Sequence, residues 1–402
     1  MDKNSNHIRN ILHGFFLAIG TTIAEPSTIL PLIVNYFGGS SVLIGIFAAL
    51  LRGGAIVVQL FAAFKAQSYT LMLPYLRRVF LVRFFAWFFI GVAIIVFGDS
   101  NPDAALFSIG FGLFLFSFSA GFGAIYFKDI VAKIFSHRFR GKTMAYRQFF
   151  TALGGLISGS FAAVILELYE PPHSFGYLFI ISSFLMGLGY LAFAGVDEPR
   201  KTEIIQRENS FGKFLKNSLR LLKSDKDLQV QVTTFLFGYA YLISLPFIIL
   251  DAQKTVNLSG TAVGILITAQ MTGAMLSNFL WGKLSGSGRN RLTANIALLT
   301  HIGAVALAFN ASGLYEYIAI FFMVGMATDG NRIASGNLIL ILAPPEKRPV
   351  YVALQINIIS MGMFFSILGG LILHATDYTT LYSVTMLMLV FAFFMSLKLK
   401  DV

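Results

Sequence analysis

Blocks of about twenty apolar residues, separated by short polar breaks, recur along the whole chain. Each block is long enough to cross roughly 30 Å of hydrocarbon as a helix. The pattern predicts twelve spans, at about 9–36, 41–64, 78–98, 104–127, 144–167, 174–195, 228–250, 261–281, 292–311, 314–338, 350–373 and 378–397. The first block follows MDKNSNHIRN and is longer than a signal-peptide core, so it is expected to persist as an uncleaved helix. The expected fold is an all-α, polytopic, multi-pass membrane protein.

Composition agrees with the pattern. Hydrophobic residues make up 56% and charged residues 12%, with a mean hydropathy of +0.74. A soluble chain carries about twice that charged fraction. The net charge of +11 raises the question of a nucleic-acid partner, and its placement answers it. Lys65, Arg77 and Arg78 fall between spans 2 and 3, Lys133, Arg138, Arg140 and Lys142 between spans 4 and 5, and Lys283, Arg289 and Arg291 between spans 8 and 9. The alternate loops hold Asp99, Asp103, Glu167, Glu170, Asp251, Glu316 and Asp377, with Lys254 as their one base. Basic loops stay on the cytoplasmic side. Both termini are therefore expected in the cytoplasm, the bilayer is the expected environment, and no nucleic-acid partner is implied. The location that fits is a cell membrane, in a bacterium the inner one. The chain has no cysteine, which removes disulfides, thiolate metal sites and a cysteine nucleophile. No cofactor and no metal centre is expected.

The polar segment 196–227 divides the spans six and six, giving halves 1–195 and 228–402. Within it Phe211, Phe214, Leu215, Leu219 and Leu222 share a helical face, with Lys213, Lys216, Arg220 and Lys223 elsewhere. That pattern suits either a helix lying on an anionic cytoplasmic leaflet or a solvated linker. The halves also repeat. In IGIFAALLRGGAIVVQLFAA (44–63) and VGILITAQMTGAMLSNFLWG (263–282), Gly45 matches Gly264, Gly54 matches Gly273 and Gln59 matches Asn278. RGKTMAYRQ (140–148) and RPVYVALQI (348–356) each follow a basic loop and open the fifth span of their half. Two such six-helix repeats are a transporter arrangement, with a solute site expected between them near the midplane.

The chain resembles the major facilitator superfamily over essentially its whole length. WGKLSGSGRNRL (281–292) is similar to that family's cytoplasmic loop motif G-x-L-x-D-x-x-G-R-x, with Gly282, Leu284, Arg289 and Arg291 in place. It departs from the motif in having Gly286 at the acidic position and a loop about one residue short. The first-half copy, FKAQSYTLMLPYLRR, keeps only its basic end. FKDIVAKIF, RGKTMAYRQF and YLFIISSFLMGLGYLAFAGVDEP are similar to sequences of a little-characterised bacterial branch of the superfamily. The resemblance implies two six-helix halves and transport by alternating access. The loop-motif residues Gly282, Arg289 and Arg291, with Asp129, Arg140 and Arg147 bracketing the loop between spans 4 and 5, are the candidates for a cytoplasmic gate; the competing reading of the latter three is ordinary topology charges at the membrane boundary. The glycine-proline pattern associated with antiporters is absent from span 5, where ALGGLISGSFAAVILELY has the glycines but no proline.

Ionisable residues within spans are costly unless paired or hydrated, and so mark function. Glu25, in GTTIAEPSTILP, shares a helical face with Gly14, Thr21, Thr28 and Asn35, a polar stripe suited to a cavity wall. Pro26 and Pro31 loosen the helix around it. Glu25 lies about 18 Å and Arg52 about 15 Å from the outer ends of neighbouring antiparallel spans, so an ion pair between them is geometrically reasonable. The expectation is that Glu25 takes up and releases a proton while Arg52 tunes it or holds an anionic solute group. The competing reading is a permanent structural pair. Asp329 and Arg332, three residues apart in GMATDGNRIASGN, form a second candidate pair, contacting solute or proton, or simply neutralising each other. Gln270 and Gln355 are the uncharged cavity candidates, and Arg147 is the deepest of the inner-loop bases. His301 has no spaced partner, so hydrogen-bonded packing is expected of it rather than metal or proton chemistry.

These readings favour a secondary active transporter of a small, anionic or zwitterionic solute, proton-coupled and acting as a monomer. Its partners would be that solute, protons and the lipid bilayer. No Walker-type phosphate loop is present to support ATP-driven pumping. Three alternatives remain open at this stage. One is an efflux carrier or facilitator of amphipathic compounds or lipids. The second is a transporter-shaped sensor. The third is a membrane enzyme, for which only the isolated His301 is available as a catalytic group.

Overall fold

The computed structural model describes residues 3–23, 25, 27–66, 69–200, 220–256, 258–344 and 348–400. Pro26, the amphipathic stretch within 201–219 and the side chain of Arg140 lie outside the described residues. Among those described there is no β-strand. Among the described residues nine helical segments are long and apolar enough to cross a membrane, judged by length and composition.

Breaks in the spans shape the fold more than their number. The first apolar block is not one helix but two, α1 (Lys3–Ile23) and α2 (Ile29–Tyr36). Next come α3 (Ser41–Ala66), α4 (Leu73–Phe97), α5 (Pro102–Ile134), α6 (His137–Leu168) and α7 (His173–Ala194). The seventh block is likewise divided, into α8 (Lys226–Gly238) and α9 (Tyr241–Thr255), with Tyr239 and Ala240 forming a turn between them. After α10 (Gly260–Gly286), α11 (Asn290–Ala308) and α12 (Leu314–Leu342), the eleventh block passes through one 3₁₀ turn (Met361–Phe364) between α13 (Arg348–Ser360) and α14 (Phe365–Ala375). The last helix is α15 (Tyr378–Ser396).

Helix ends follow local chemistry. The Asn101 side chain caps α5 by accepting from the Ala104 N–H (3.0 Å), and Asp225 and Asp377 cap α8 and α15 in the same way. α10 stops where Gly288 takes φ +78°. There the Gly288 N–H donates to the Ser285 carbonyl and the Arg289 N–H to the Leu284 carbonyl, closing the helix with a left-handed residue that needs no Cβ. α2 ends the same way at Gly38.

The chain divides into two compact units. The first comprises Met1–Gly39, Leu50–Arg207 and Leu258–Thr268. In it α1 packs along α6 and α7, and α4 along α5 and α7. A polar chain ties three of these helices together: Trp87 Nε1 donates to Ser182 Oγ (2.8 Å), which donates to the Gly20 carbonyl. The second unit comprises Ser40–Ala49, Glu208–Asn257 and Ala269–Val402. Its core pairs are α11 with α12, α11 and α8 with α15, and α9 with α14.

Candidate functional site

In the first unit the break between α1 and α2 sets the position of Glu25. Its N–H donates to the Thr22 carbonyl (3.1 Å), and its own carbonyl accepts from the N–H groups of Thr28 (3.1 Å) and Ile29 (3.0 Å). The carboxylate then meets Arg52 of α3, whose guanidinium donates to Oε1 at 2.9 Å. Ser27 Oγ donates to the same oxygen at 3.0 Å. The side chains are 16% (Glu25) and 23% (Arg52) exposed, so the pair is largely withdrawn from solvent. Beside Arg52, Ser117 of α5 donates to the Leu51 carbonyl (3.3 Å), which ties α3 to α5 at this level. The polar stripe does not continue along one face, because the break interrupts it. Gly14 is buried against Arg147, Thr21 donates back to the Leu17 carbonyl (2.8 Å), and Asn35 is exposed.

Arg147 lies away from that pair. From α6 it donates to the Asn10 carbonyl (2.7 Å) and Oδ1 (3.2 Å) and shares a 2.9 Å contact with His13 Nδ1. A Cβ on Gly14 would stand 2.8 Å from the Arg147 side chain, so that glycine makes the room. The Arg147 guanidinium also lies over Phe127 (4.8 Å). A second arginine, Arg83 of α4, lies over Phe116 (4.1 Å) and Tyr190 (5.7 Å). Sequence reasoning singled out neither Arg83 nor His13. A base five residues inside the predicted third span was an available signal for Arg83.

Asp129 enters a network at the N-terminus of α4. Lys133 bonds Asp129 (2.9 Å) and Glu198 (2.5 Å). Glu198, 1% exposed, also accepts from the N–H groups of Met72 (2.9 Å) and Leu73 (2.7 Å). Glu198 therefore anchors the start of α4, a role that its place in the predicted linker concealed. In the loop motif, a Cβ on Gly282 would meet no atom within 4 Å, Arg289 is exposed and Arg291 is half-buried.

In the second unit, Arg332 bonds Asp329 at 2.9 Å on α12, and Asn278 of α10 donates to the other carboxylate oxygen (3.0 Å). The two helices can meet because glycines line their crossing. A Cβ on Gly325 would stand 1.9 Å from the Gln270 carbonyl oxygen, and one on Gly273 would stand 2.0 Å from that of Phe322. Trp281 Nε1 donates to the Met326 carbonyl (3.1 Å) in the same interface. Gln270 is buried at this crossing. Gln355 instead lines a cavity of about 450 Å³ together with Tyr239, Tyr241, Asn331, Arg332 and Ser335. Gln355 accepts from Gln231 Nε2 (3.1 Å) and donates to the Ser335 carbonyl (3.0 Å).

His301 is fully buried and stacks on Tyr241 (4.2 Å between ring centroids, 10° between planes). Neither ring nitrogen has a hydrogen-bond partner among the described residues. The expected hydrogen bonds are therefore not found among the described residues, and the ring packs by stacking instead. Among the described residues no cluster of three or more His, Asp or Glu side chains could hold a metal ion.

Comparison with known proteins shows likeness in sequence over part of the chain and in fold over nearly all of it. Residues 230–401 match the family described as Major Facilitator Superfamily. No curated protein matches the chain in sequence. Among solved structures, a variant of the nucleoside transporter NupG superposes with a TM-score of 0.77 at 12% identity, covering 98% of this chain and 99% of that one. A bacterial homologue of the iron transporter ferroportin, in an inward-facing state, gives 0.71 at 12% identity with 98% of each chain covered. A D-xylose–proton symporter gives 0.69 at 14% identity, covering 99% of this chain and 97% of that one. At these identities the likeness is one of fold. The chain thus has the helical fold of multi-pass membrane transporters, and its sequence likeness to the Major Facilitator Superfamily lies in residues 230–401.

Proposed function

We propose that the chain is a secondary active transporter that moves a small solute by alternating access, driven by protons through Glu25. One observation carries this reading: the carboxylate of Glu25 lies in a helix break, largely withdrawn from solvent, and is held by Arg52 at 2.9 Å. Discontinuous helices place polar groups inside membrane proteins where a regular helix would bury them unsatisfied. If the transport cycle withdraws Arg52, an isolated carboxylate in a low-dielectric setting is stabilised by binding a proton. Return of Arg52 expels that proton. The pair thus converts a conformational change into proton uptake and release, and Arg52, while unpaired, offers donors to an anionic solute group. The D-xylose–proton symporter among the structural neighbours is consistent with this reading.

The test uses purified protein in liposomes under an imposed proton gradient, with metabolite pools screened for accumulation. Gradient-driven accumulation of a solute is expected with the unaltered chain and is lost in Glu25→Gln. Arg52→Ala is expected to uncouple the flux from pH. Full proton-driven transport by Glu25→Gln would remove Glu25 from the mechanism.

A further inference from the structure

The cavity of the second unit carries more information than its size. Its volume of about 450 Å³ lies within the range of small-molecule sites. Phe235, Ile339, Leu340, Val352, Ile356 and Ile359 give it an apolar wall. On the polar side, Gln355 and Ser335 already bond one another. Asn331 does not: both its amide oxygen and its amide nitrogen are buried, and neither has a partner among the described residues. Its Nδ2 points toward the end of α8, 3.9 Å from where a Cβ on Gly238 would stand. Burying an amide without partners costs roughly 1–3 kcal/mol, so such a group calls for an explanation.

Arg332 is the one charged side chain among the described residues lining the cavity. It is 61% exposed, and Asp329 engages one of its terminal nitrogens. A guanidinium has five N–H donors in a planar fork, so donors remain for a second, incoming anion. The other oxygen of Asp329 is taken by Asn278. A base with spare donors, an amide needing both a donor and an acceptor, and an apolar wall stand around one space.

We propose that this cavity binds a small hydroxylated carboxylate, with its carboxylate on Arg332 and a hydroxyl group on Asn331. A hydroxyl is the simplest group that both donates to the Asn331 oxygen and accepts from its nitrogen. The cavity is then the solute subsite of the transporter proposed above, and the inference rests on that reading for its purpose. Binding needs no gradient, however, so the two can fail separately. A chain that binds the probes without proton-driven flux keeps this inference and loses the coupling. A chain that accumulates other solutes but binds none of the probes does the reverse.

The test is equilibrium binding by calorimetry on the purified full-length protein, using matched probes that differ in charge. The pairs are gluconate with glucitol, glucuronate with glucose, and lactate with lactamide. At least one carboxylate is expected to bind about tenfold or more tightly than its neutral partner, as a charge-assisted contact requires. Arg332→Gln should bring that ratio to within about twofold, and Asn331→Ala should weaken the preferred carboxylate by about fivefold or more. Gly336→Leu provides an independent check, because a side chain there would enter open space beside the cavity lining. It should abolish binding while the protein still elutes as a monodisperse species. Equal binding of charged and neutral partners would overturn the proposal. So would an unchanged ratio in Arg332→Gln, unaltered binding in Gly336→Leu, or no binding by any probe.

Discussion

Gly325→Ala isolates the α10–α12 crossing, because it adds one methyl group at the point of closest approach. In an ordinary helix interior this change stabilises by about 1 kcal/mol. Here the new Cβ would stand 1.9 Å from the Gln270 carbonyl oxygen. That oxygen belongs to the backbone and cannot rotate away. To restore ordinary contact the helices must separate by about 1.5 Å. Overpacking of this kind costs roughly 1–3 kcal/mol. The separation also stretches the Asn278–Asp329 bond (3.0 Å) and the Trp281–Met326 bond (3.1 Å), each worth about 1 kcal/mol. Set against the helix-propensity gain, the expected net loss is about 2–4 kcal/mol. Gly273→Ala, 2.0 Å from the Phe322 carbonyl, should lose a similar amount. The double variant should lose less than the sum, because the first methyl group already parts the helices. Gly282→Ala, on the same helix with nothing within 4 Å, is the control and should be neutral or slightly stabilising. Unfolding in detergent followed by the fluorescence of Trp281 measures all four. A Gly325→Ala protein as stable as Gly282→Ala would show that the two backbones do not meet as described.

Two further outcomes follow from groups outside the cavity. Glu198→Gln keeps an acceptor for the α4 N-terminus but removes the negative partner of Lys133, which then retains only Asp129; a loss of about 2 kcal/mol in unfolding is expected, and a wild-type transition would mean that Glu198 carries no electrostatic role. At the start of α15, the Thr380 N–H donates to Asp377 Oδ1 (2.8 Å) and, together with neighbouring hydrogen bonds, holds that carboxyl below its usual range. Because the folded value lies below the unfolded one, the stabilisation is complete above the unfolded value and lost as pH falls through the folded one. The protection of amides 378–382, taken relative to the unstructured exchange rate at each pH, should therefore fall in acid in the unaltered chain, and Asp377→Asn should remove that dependence.

Much of the architecture was legible because lipid imposes a severe pattern. The block at 78–98 emerges as α4 (Leu73–Phe97), and that at 378–397 as α15 (Tyr378–Ser396). The block at 104–127 was read short, since the chain turns polar at Lys128 and Asp129. The helix in fact continues to Ile134, supported by the Asp129–Lys133 pair at i,i+4 spacing. Breaks were legible only where proline announced them. Pro26 and Pro31 flag the first, whereas the turn at Tyr239–Ala240 and the 3₁₀ turn at Met361–Phe364 have no such signal. The Glu25–Arg52 contact could be inferred because both charges are expensive and of similar depth. The setting of Arg83 could not, because the rings of Phe116 and Tyr190 that accommodate it are remote in sequence, although its place inside the third predicted span marked the residue itself. The unpartnered amide of Asn331 is invisible in sequence for a related reason: hydrogen-bond satisfaction belongs to the packed structure.

The two broken helices suggest how the repeat was put to use. Each unit interrupts the first apolar block of its half, at Thr28 and its neighbours in one and at Tyr239–Ala240 in the other. A break in a membrane helix frees backbone groups and opens space, and something polar must occupy it. In the first unit that occupant is internal, since Glu25 takes Arg52 and Ser27 and leaves a self-contained charge pair. In the second, the residues around the break include Tyr239, Tyr241 and Asn331, and the amide is left without a partner beside a cavity. A closed pair suits a carboxylate that binds a proton when its arginine withdraws and releases it when the arginine returns. An open amide beside an arginine with spare donors suits a group that waits for a solute. Equivalent breaks thus lead to different chemistry. The asymmetry lies in side chains such as Arg52, whose counterpart in the aligned repeat is Met271, rather than in the helical frame the halves share.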